Sequence, residues 1–313
     1  MPDKSFKTMM EEFRKAGEFT PEMVNIGGAV RPEETDRFID LVVKRNPILS
    51  RVTVDRARKL TKDVNVWELL RGVLQRVPQG EKPDKFTSFK NVGKKLEMKD
   101  AQLFSHIPMD YLRDNQHRPG LESMVGSRLA ETYGNDVTLL AFTGTADDFA
   151  GKAFDKLNKG WPQLLKDAPD SHKVDVSDHT GGTPAAVNWE GLFSAMVEQL
   201  PDVYKGDKTV FLMSRGDAEL YQRQIGQMVG GLGHLLSKQN LTYLGYEIVS
   251  LNEMPRGHVI FTPLPNLVYG VNTSMERYRE YSGEERCIKY TFDSSFDFQV
   301  AVDDAAVIAW AGA

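Results

Sequence analysis

The fold turns on Cys287-Ile288-Lys289-Tyr290-Thr291-Phe292-Asp293-Ser294-Ser295-Phe296-Asp297-Phe298-Gln299-Val300-Ala301-Val302-Asp303-Asp304. Ile288, Tyr290 and Phe292 alternate with Cys287, Lys289 and Thr291. Phe296, Phe298, Val300 and Val302 then alternate with Asp297, Gln299 and Ala301. Period-two alternation puts one set of side chains on a buried face and the other toward water, as in a half-buried strand. The polar triplet Asp293-Ser294-Ser295 separates the two halves, and the expectation is an antiparallel hairpin that turns there. A final strand over Ala306 to Trp310 leaves the C-terminal end strongly β.

Upstream the pattern mixes helices and strands. Trp189 to Leu200 reads as helix, Thr209 to Met213 as strand and Asp217 to Gln227 as helix, followed by a glycine-rich run. Strands follow at Tyr246 to Leu251, Val259 to Phe261 and Leu267 to Tyr269. Ser171 to Pro184 is polar and glycine-bearing, which marks a boundary. Before it, Leu121, Met124, Val125 and Leu129 share a helix face ended at Tyr133-Gly134-Asn135. A buried strand over Val137 to Phe142 is expected next, then a helix carrying Phe149, Phe154, Leu157 and Trp161. The chain opens with an amphipathic helix (Phe6, Met9, Met10, Phe13) and a connector from Gly17 to Pro32. A second helix starts at Pro32, with Phe38, Leu41 and Val42 as its stripe and Asn46-Pro47 as its stop.

Charge is uneven. The 313 residues carry 39 Lys+Arg and 44 Asp+Glu, a balance of −5. Lys44 to Lys99 holds 15 Lys/Arg and 6 Asp/Glu, or +9, which leaves −14 elsewhere. Such a segment is a solvated face, a nucleic-acid patch, or an arm lying on an acidic copy of the same chain. Grips on single strands interleave aromatics. Here Trp67 falls in a helical pattern (Val66, Leu70, Val73, Val77), and only Phe86 and Phe89 lie in loop-like sequence. Two alternating stretches bound the segment, Val52 and Val54 at one end, Leu96 and Met98 at the other. The expectation is a long two-stranded excursion with its tip at Pro78 to Lys94. A lone hairpin is marginal in water, so its burial is expected elsewhere.

Chemistry is sparse. The single Cys287 excludes an intrachain disulfide and a Cys-rich zinc site. His106, His117, His172, His179, His234 and His258 show no metal-ligand spacing, so no metal and no cofactor are expected. The Gly226 to His234 run follows a helix and precedes a strand, the reverse of a phosphate loop, and has no Lys before Lys238. Ser214-Arg215-Gly216-Asp217 is not a nucleophile elbow. No catalytic residue is assigned and no enzymatic activity is expected. Met1 to Phe6 lacks the apolar core of a secretory signal, and the longest apolar run, Ala305 to Ala313, is too short to span a membrane. A soluble globular protein of about two domains, or one elaborated domain, is expected.

Several segments in order resemble the major capsid protein of tailed bacteriophages, a fold shared with the herpesvirus capsid floor, and most closely its branch in temperate contractile-tailed phages. They are Phe104-Ser105-His106-Ile107-Pro108, Leu139-Leu140-Ala141-Phe142-Thr143-Gly144-Thr145, and Phe154 to Trp161 with Ala168-Pro169. Pro265-Asn266-Leu267-Val268-Tyr269, Glu276-Arg277-Tyr278 and Phe298 to Asp304 complete the series.

The resemblance implies an α+β capsid fold. Residues 1–46 would be an N-terminal arm and 47–103 an extended loop. Residues 104–187 with 271–304 would form a peripheral domain whose spine helix is Gly120 to Tyr133, and 188–270 with 305–313 an axial domain. It implies a structural protein that self-assembles as hexamers and pentamers into an icosahedral capsid around double-stranded DNA, without sequence-specific binding and with no membrane. Implied partners are other copies, a scaffolding protein, a portal and a decoration protein. The location would be the virion capsid, assembled in the host bacterial cytoplasm. Inter-subunit candidates are Arg51, Val52, Val54, Arg56, Arg58, Lys94, Lys95, Leu96 and Met98. Lys94 and Lys95 beside Gly93 could form isopeptide cross-links as in some relatives, or be ordinary solvated lysines. A cellular nanocompartment shell of the same fold, and a soluble α/β enzyme binding a phosphate ligand at Gly226 to His234, remain as alternatives.

Overall fold

In the computed structural model, residues 28–29, 32–64, 67–68, 90–91, 94–114, 121–146, 153–181, 186–227 and 241–311 are described. The helices are α1 (Pro32–Arg45), α2 (Met109–Asp114), α3 (Leu121–Thr143), α4 (Trp161–Asp167), α5 (Trp189–Gln199) and α6 (Arg215–Gln227). The strands begin with β1 (Gly28–Ala29), β2 (Thr53–Ala57), β3 (Thr61–Val64), β4 (Trp67–Glu68), β5 (Lys90–Asn91), β6 (Lys94–Glu97) and β7 (Lys99–Pro108). Next come β8 (His172–Asp175), β9 (Thr180–Gly181), β10 (Ala186–Val187), β11 (Thr209–Ser214), β12 (Thr242–Tyr243) and β13 (Tyr246–Leu251). The last are β14 (Val259–Pro263), β15 (Leu267–Asn272), β16 (Glu276–Ser282), β17 (Cys287–Val300) and β18 (Val307–Trp310).

The expected hairpin is instead one strand. β17 runs unbroken through Asp293-Ser294-Ser295. The side-chain phase explains why: Ile288, Tyr290, Phe292, Ser294, Phe296, Phe298 and Val300 all fall on even positions, so the alternation never changes face. The two serines of the triplet are satisfied sideways, whereas Asp293 Oδ1 is buried without a hydrogen-bond partner among the described residues. Ser294 Oγ accepts from the Tyr133 hydroxyl at 3.0 Å, and Ser295 Oγ donates to Asp100 at 2.6 Å. β17 pairs antiparallel with β7 along one edge and with β16 and then β15 along the other. β1 extends the sheet beyond β16, and β2 runs parallel to β15.

The second sheet has the order β12-β13-β11-β14-β18-β8. Every residue of β11 is buried, because Val210 and Leu212 face one cluster while Phe211 and Met213 face another. Burial on both faces accounts for its unbroken apolar run. The first cluster is continuous from Ile39 and Val42 of α1, through Tyr133, Val137 and Leu140 of α3 and Trp161 of α4, to Phe296 and Phe298. It continues to Leu212 and Ile308 of the second sheet. One core therefore joins both sheets. The second cluster seats α5, through Trp189, Phe193 and Met196, on Phe211 and Phe261.

Three further expectations change. The strand expected over Val137 to Phe142 is the C-terminal part of α3, which passes straight through Tyr133-Gly134-Asn135. Gly134 serves proximity rather than termination: a Cβ there would stand 3.3 Å from Val42 Cγ1 of the crossing helix. Asn46, the expected stop of α1, donates from Nδ2 to Thr138 Oγ1 at 2.6 Å, and its Oδ1 accepts the backbone N–H of Ile48 and Leu49. The helix expected through Phe154 and Trp161 is a short 3-10 turn, Phe154–Lys156, followed by α4, in which Pro162 occupies the first turn. The polar break after Ser171 contains β8, which runs parallel to β18. α1, α5 and α6 follow the expected limits within a few residues. The amphipathic helix expected at Phe6 to Phe13 lies outside the described residues.

Candidate functional site

The basic excursion leaves the first sheet after β2. Its ladder is β3 against β6, with Thr61 opposite Glu97 and Val64 opposite Lys94, then β4 against β5. Trp67 is thus in a short strand rather than the expected helix; Leu70, Val73, Val77, Phe86 and Phe89 lie outside the described residues. Val52 and Val54 are not part of the ladder. Val54 sits in β2 opposite Tyr269 of β15.

The inter-subunit candidates divide by environment. Leu96 is fully buried, and Val52 and Met98 are nearly so, within their own chain. Leu96 packs with Val64 and Val268. These three have no surface left to offer a neighbour in this conformation, contrary to the apolar role expected of them. Val54 is half-buried. Arg51 makes a bidentate pair with Glu247 of β13, its Nη1 donating to Oε1 at 3.1 Å. Arg56 pairs with Asp36 and Asp40 of α1, which holds the Asp40 carboxyl below its usual range. Lys62 pairs with Asp55, and Lys94 with Asp303. Part of the +9 segment is therefore neutralised by its own chain. Arg58, Lys59 and Lys95 are exposed and have no ion-pair partner among the described residues.

The root of the excursion centres on Asp297, which is almost fully buried. Its Oδ2 accepts the Glu97 backbone N–H at 2.8 Å. Its Oδ1 accepts from Asn158 Nδ2 at 3.0 Å and from the Phe298 N–H at 2.8 Å. Burial raises the Asp297 carboxyl above its usual range, against the pull of these donors. Gly270 of β15 lies beneath the root: a Cβ there would meet both Leu96 methyls at 3.0 Å and Met98 Cε at 3.3 Å.

Exposed apolar side chains are spread over the surface. Phe104 on the β7 edge is 64% exposed, and Leu60 stands at the turn between β2 and β3. Leu244, 71% exposed, adopts φ 48° at the β12–β13 turn before Gly245 at φ 86°. A positive φ is costly for leucine, so this apolar tip is held against its local preference.

None of these groups forms a reaction centre. Cys287 is buried, and desolvation together with Glu285, 3.4 Å away, raises its thiol, which disfavours the thiolate. His172 pairs with Asp304 at 3.0 Å, and His258 Nε2 lies 2.8 Å from Lys166 Nζ. Among the described residues no three His, Cys, Asp or Glu side chains are placed to hold a metal ion. Gly226 and Gln227 end α6; Met228 to His234 lie outside the described residues. No helix among the described residues is long and apolar enough to cross a membrane.

Neither a protein-family model nor a curated protein matches the sequence. Solved structures do. A chain from the satellite phage P4 procapsid, a structure including the size determination protein, gives a TM-score of 0.68 at 12% identity, covering 88% of this chain and 98% of that one. The chain has the phage capsid fold. The capsid of an empty GTA particle gives 0.58 at 14% identity over 94% of this chain and 95% of that one. A virus-like particle from Pyrococcus furiosus gives 0.50 at 10% identity over 88% and 98%. The mixture of helices and sheets is consistent with that fold. The temperate contractile-tailed branch is a narrower statement than this likeness carries.

Proposed function

We infer that the chain is a shell subunit, a structural protein that associates with copies of itself into the icosahedral capsid of a tailed bacteriophage and has no catalytic role. The observation that carries this is the likeness to capsid chains over nearly their whole length. Rings of six and five copies from one chain need head-to-tail contacts that close. Residues 1–46 as arm, 47–103 as extended loop, 104–187 with 271–304 as peripheral domain and 188–270 with 305–313 as axial domain remain our division. The pairing of β18 with β14 supports placing 305–313 with 188–270, and the first core cluster runs through both units. The contractile-tailed branch, a scaffolding protein, a portal, a decoration protein, enclosed double-stranded DNA and assembly in the host cytoplasm belong to the same proposal.

The contact groups proposed for neighbours are Arg51, Val54, Arg56, Arg58, Lys95 and Lys59, with Phe104 and Leu244 as apolar knobs. Each exposed ion pair contributes about 0–1 kcal/mol, so many are needed and salt weakens them. Apolar area buried at roughly 25 cal/mol per Å² supplies the larger share. An isopeptide role for Lys94 would require it to leave Asp303; Lys95 is exposed.

The Pyrococcus furiosus virus-like particle supports a second reading, a cellular nanocompartment of the same architecture. Negative-stain microscopy and nucleic-acid analysis of particles purified from the native source separate the two. Closed shells holding DNA support a phage capsid; shells holding a protein cargo support a compartment. A chain that stays monomeric at all salt concentrations, with scaffold present, overturns both.

A further inference from the structure

Four consecutive residues of β6 are each held by a different device, and every device lies on the body of the subunit. Lys94 Nζ pairs with Asp303. The Lys95 carbonyl accepts from Gln299 Nε2 at 3.1 Å. Leu96 is fully buried above Gly270. The Glu97 N–H donates to Asp297 at 2.8 Å. Three of the four partners come from one short segment, Asp297 to Asp303, where β17 ends and the chain turns toward β18. β3, the other strand of the ladder, is tied to the body through Lys62 with Asp55 and through Val64 against Leu96 and Val268.

We propose that Asp297, Gln299 and Asp303 are positioning residues that aim the excursion, clamping β6 to the body so that it leaves the subunit in one fixed direction. This rests on the shell reading, because aim matters only if the excursion must reach a neighbour. The physical argument is leverage. A two-stranded ladder without a sheet around it has little stiffness of its own, so its direction is set at the root. A backbone carbonyl, a backbone N–H, a charged amine and an apolar side chain at successive positions leave β6 no axis about which to swing. Gly270 belongs to the same device, since a side chain there would push Leu96 and Met98 outward. Asp297 also ties the root to Asn158, whose Oδ1 accepts the Lys159 N–H at 2.8 Å just before α4.

The test uses full-length, unassembled protein and hydrogen exchange read separately over Thr61–Val64 with Lys94–Glu97 and over Thr209–Ser214. In Lys94→Asp the root amides exchange at least about fivefold faster while Thr209–Ser214 is unchanged. The reversed pair Lys94→Asp with Asp303→Lys returns root exchange to within about twofold of the parent. Asp297→Asn, which keeps the shape but replaces one acceptor oxygen with a donor, behaves like the single reversal. Unchanged root exchange in both single variants overturns the proposal, as does an equal rise across the whole chain or failure of the reversed pair to restore protection. Particle formation is scored separately. If the parent protein forms no particles, the shell reading fails while the exchange result stands; if only the single variants fail and the reversed pair recovers, both hold.

Discussion

Trp161→Phe probes the seam on which the single-core description depends. Trp161 is fully buried at the start of α4, edge-on to Phe142 of α3 at 5.3 Å and to Phe298 of β17 at 5.5 Å between ring centroids. Its Nε1–H donates to the Val268 carbonyl at 3.2 Å. Phenylalanine removes the donor and leaves that carbonyl short of a partner, a cost of about 1–2 kcal/mol. The smaller ring leaves a void and weakens two edge contacts, together about 1–2 kcal/mol more. The expected loss is therefore about 2–4 kcal/mol, or a fall in Tm of roughly 3–6 °C for a chain of this size. Urea unfolding of the unassembled subunit measures it, with hydrogen exchange over β11 and β17 as reporters of the two sheets. Both sheets should lose protection together, because Phe298 and Leu212 belong to one cluster. A loss below about 1 kcal/mol, or β17 opening while β11 stays protected, would refute the reasoning.

Three further outcomes follow from the packing. Asn46→Ala removes bonds to Thr138, Ile48 and Leu49 at a buried crossing of α1 and α3 and should cost about 2–4 kcal/mol by denaturant unfolding; a cost under 1 would remove that crossing as a fixed point. Gly144→Ala would bring a Cβ to 2.2 Å from the Asn158 carbonyl oxygen and 2.7 Å from the Gly160 nitrogen. It should cost about 3 kcal/mol or more, or abolish soluble expression, because backbone cannot yield as a side chain can. His258 titrates lower in the folded chain, chiefly because burial disfavours the charged ring and also because Lys166 repels it; the Arg256 carbonyl acts in the opposite sense. As pH falls below the ordinary histidine value near 6.5, the unfolded chain takes up a proton that the folded chain resists, so stability falls. His258→Gln should shrink the drop in Tm between pH 7.5 and 5.5, and an unchanged drop would place its cause elsewhere.

What could be read from residues alone followed from how local each determinant is. Pro32, the Phe38 and Val42 stripe and Asn46-Pro47 bound α1 by local rules, and the apolar run of β11 announced a strand buried on both faces. A hairpin is expected in place of the single strand β17 because Asp293-Ser294-Ser295 carries turn chemistry. Only long-range partners, Tyr133 of α3 and Ala101 and Asp100 of β7, show that the same hydroxyls are spent on bonds to a helix and a neighbouring strand. The Asn158 to Asp297 link is 139 residues long in sequence and was equally invisible. The same holds for Gly134, which reads as a helix stop until a second helix is found lying on it. The excursion is marked in the sequence by its charge and by the alternation at Leu96 and Met98, whereas Val52 and Val54 belong to the first sheet or its approach. The root is not marked, because burial of Leu96 within its own chain depends on Gly270. The unbroken even phase from Ile288 to Val300 was the one signal that could have corrected the hairpin.

Self-association through the capsid fold is tested most directly by electron microscopy of the full-length protein expressed with its neighbouring assembly genes. The expected result is closed icosahedral shells whose subunits fit the two-sheet body, with the β3–β6 ladder lying over an adjacent copy. A homogeneous monomer, or an oligomer in which that ladder touches no other subunit, would contradict it.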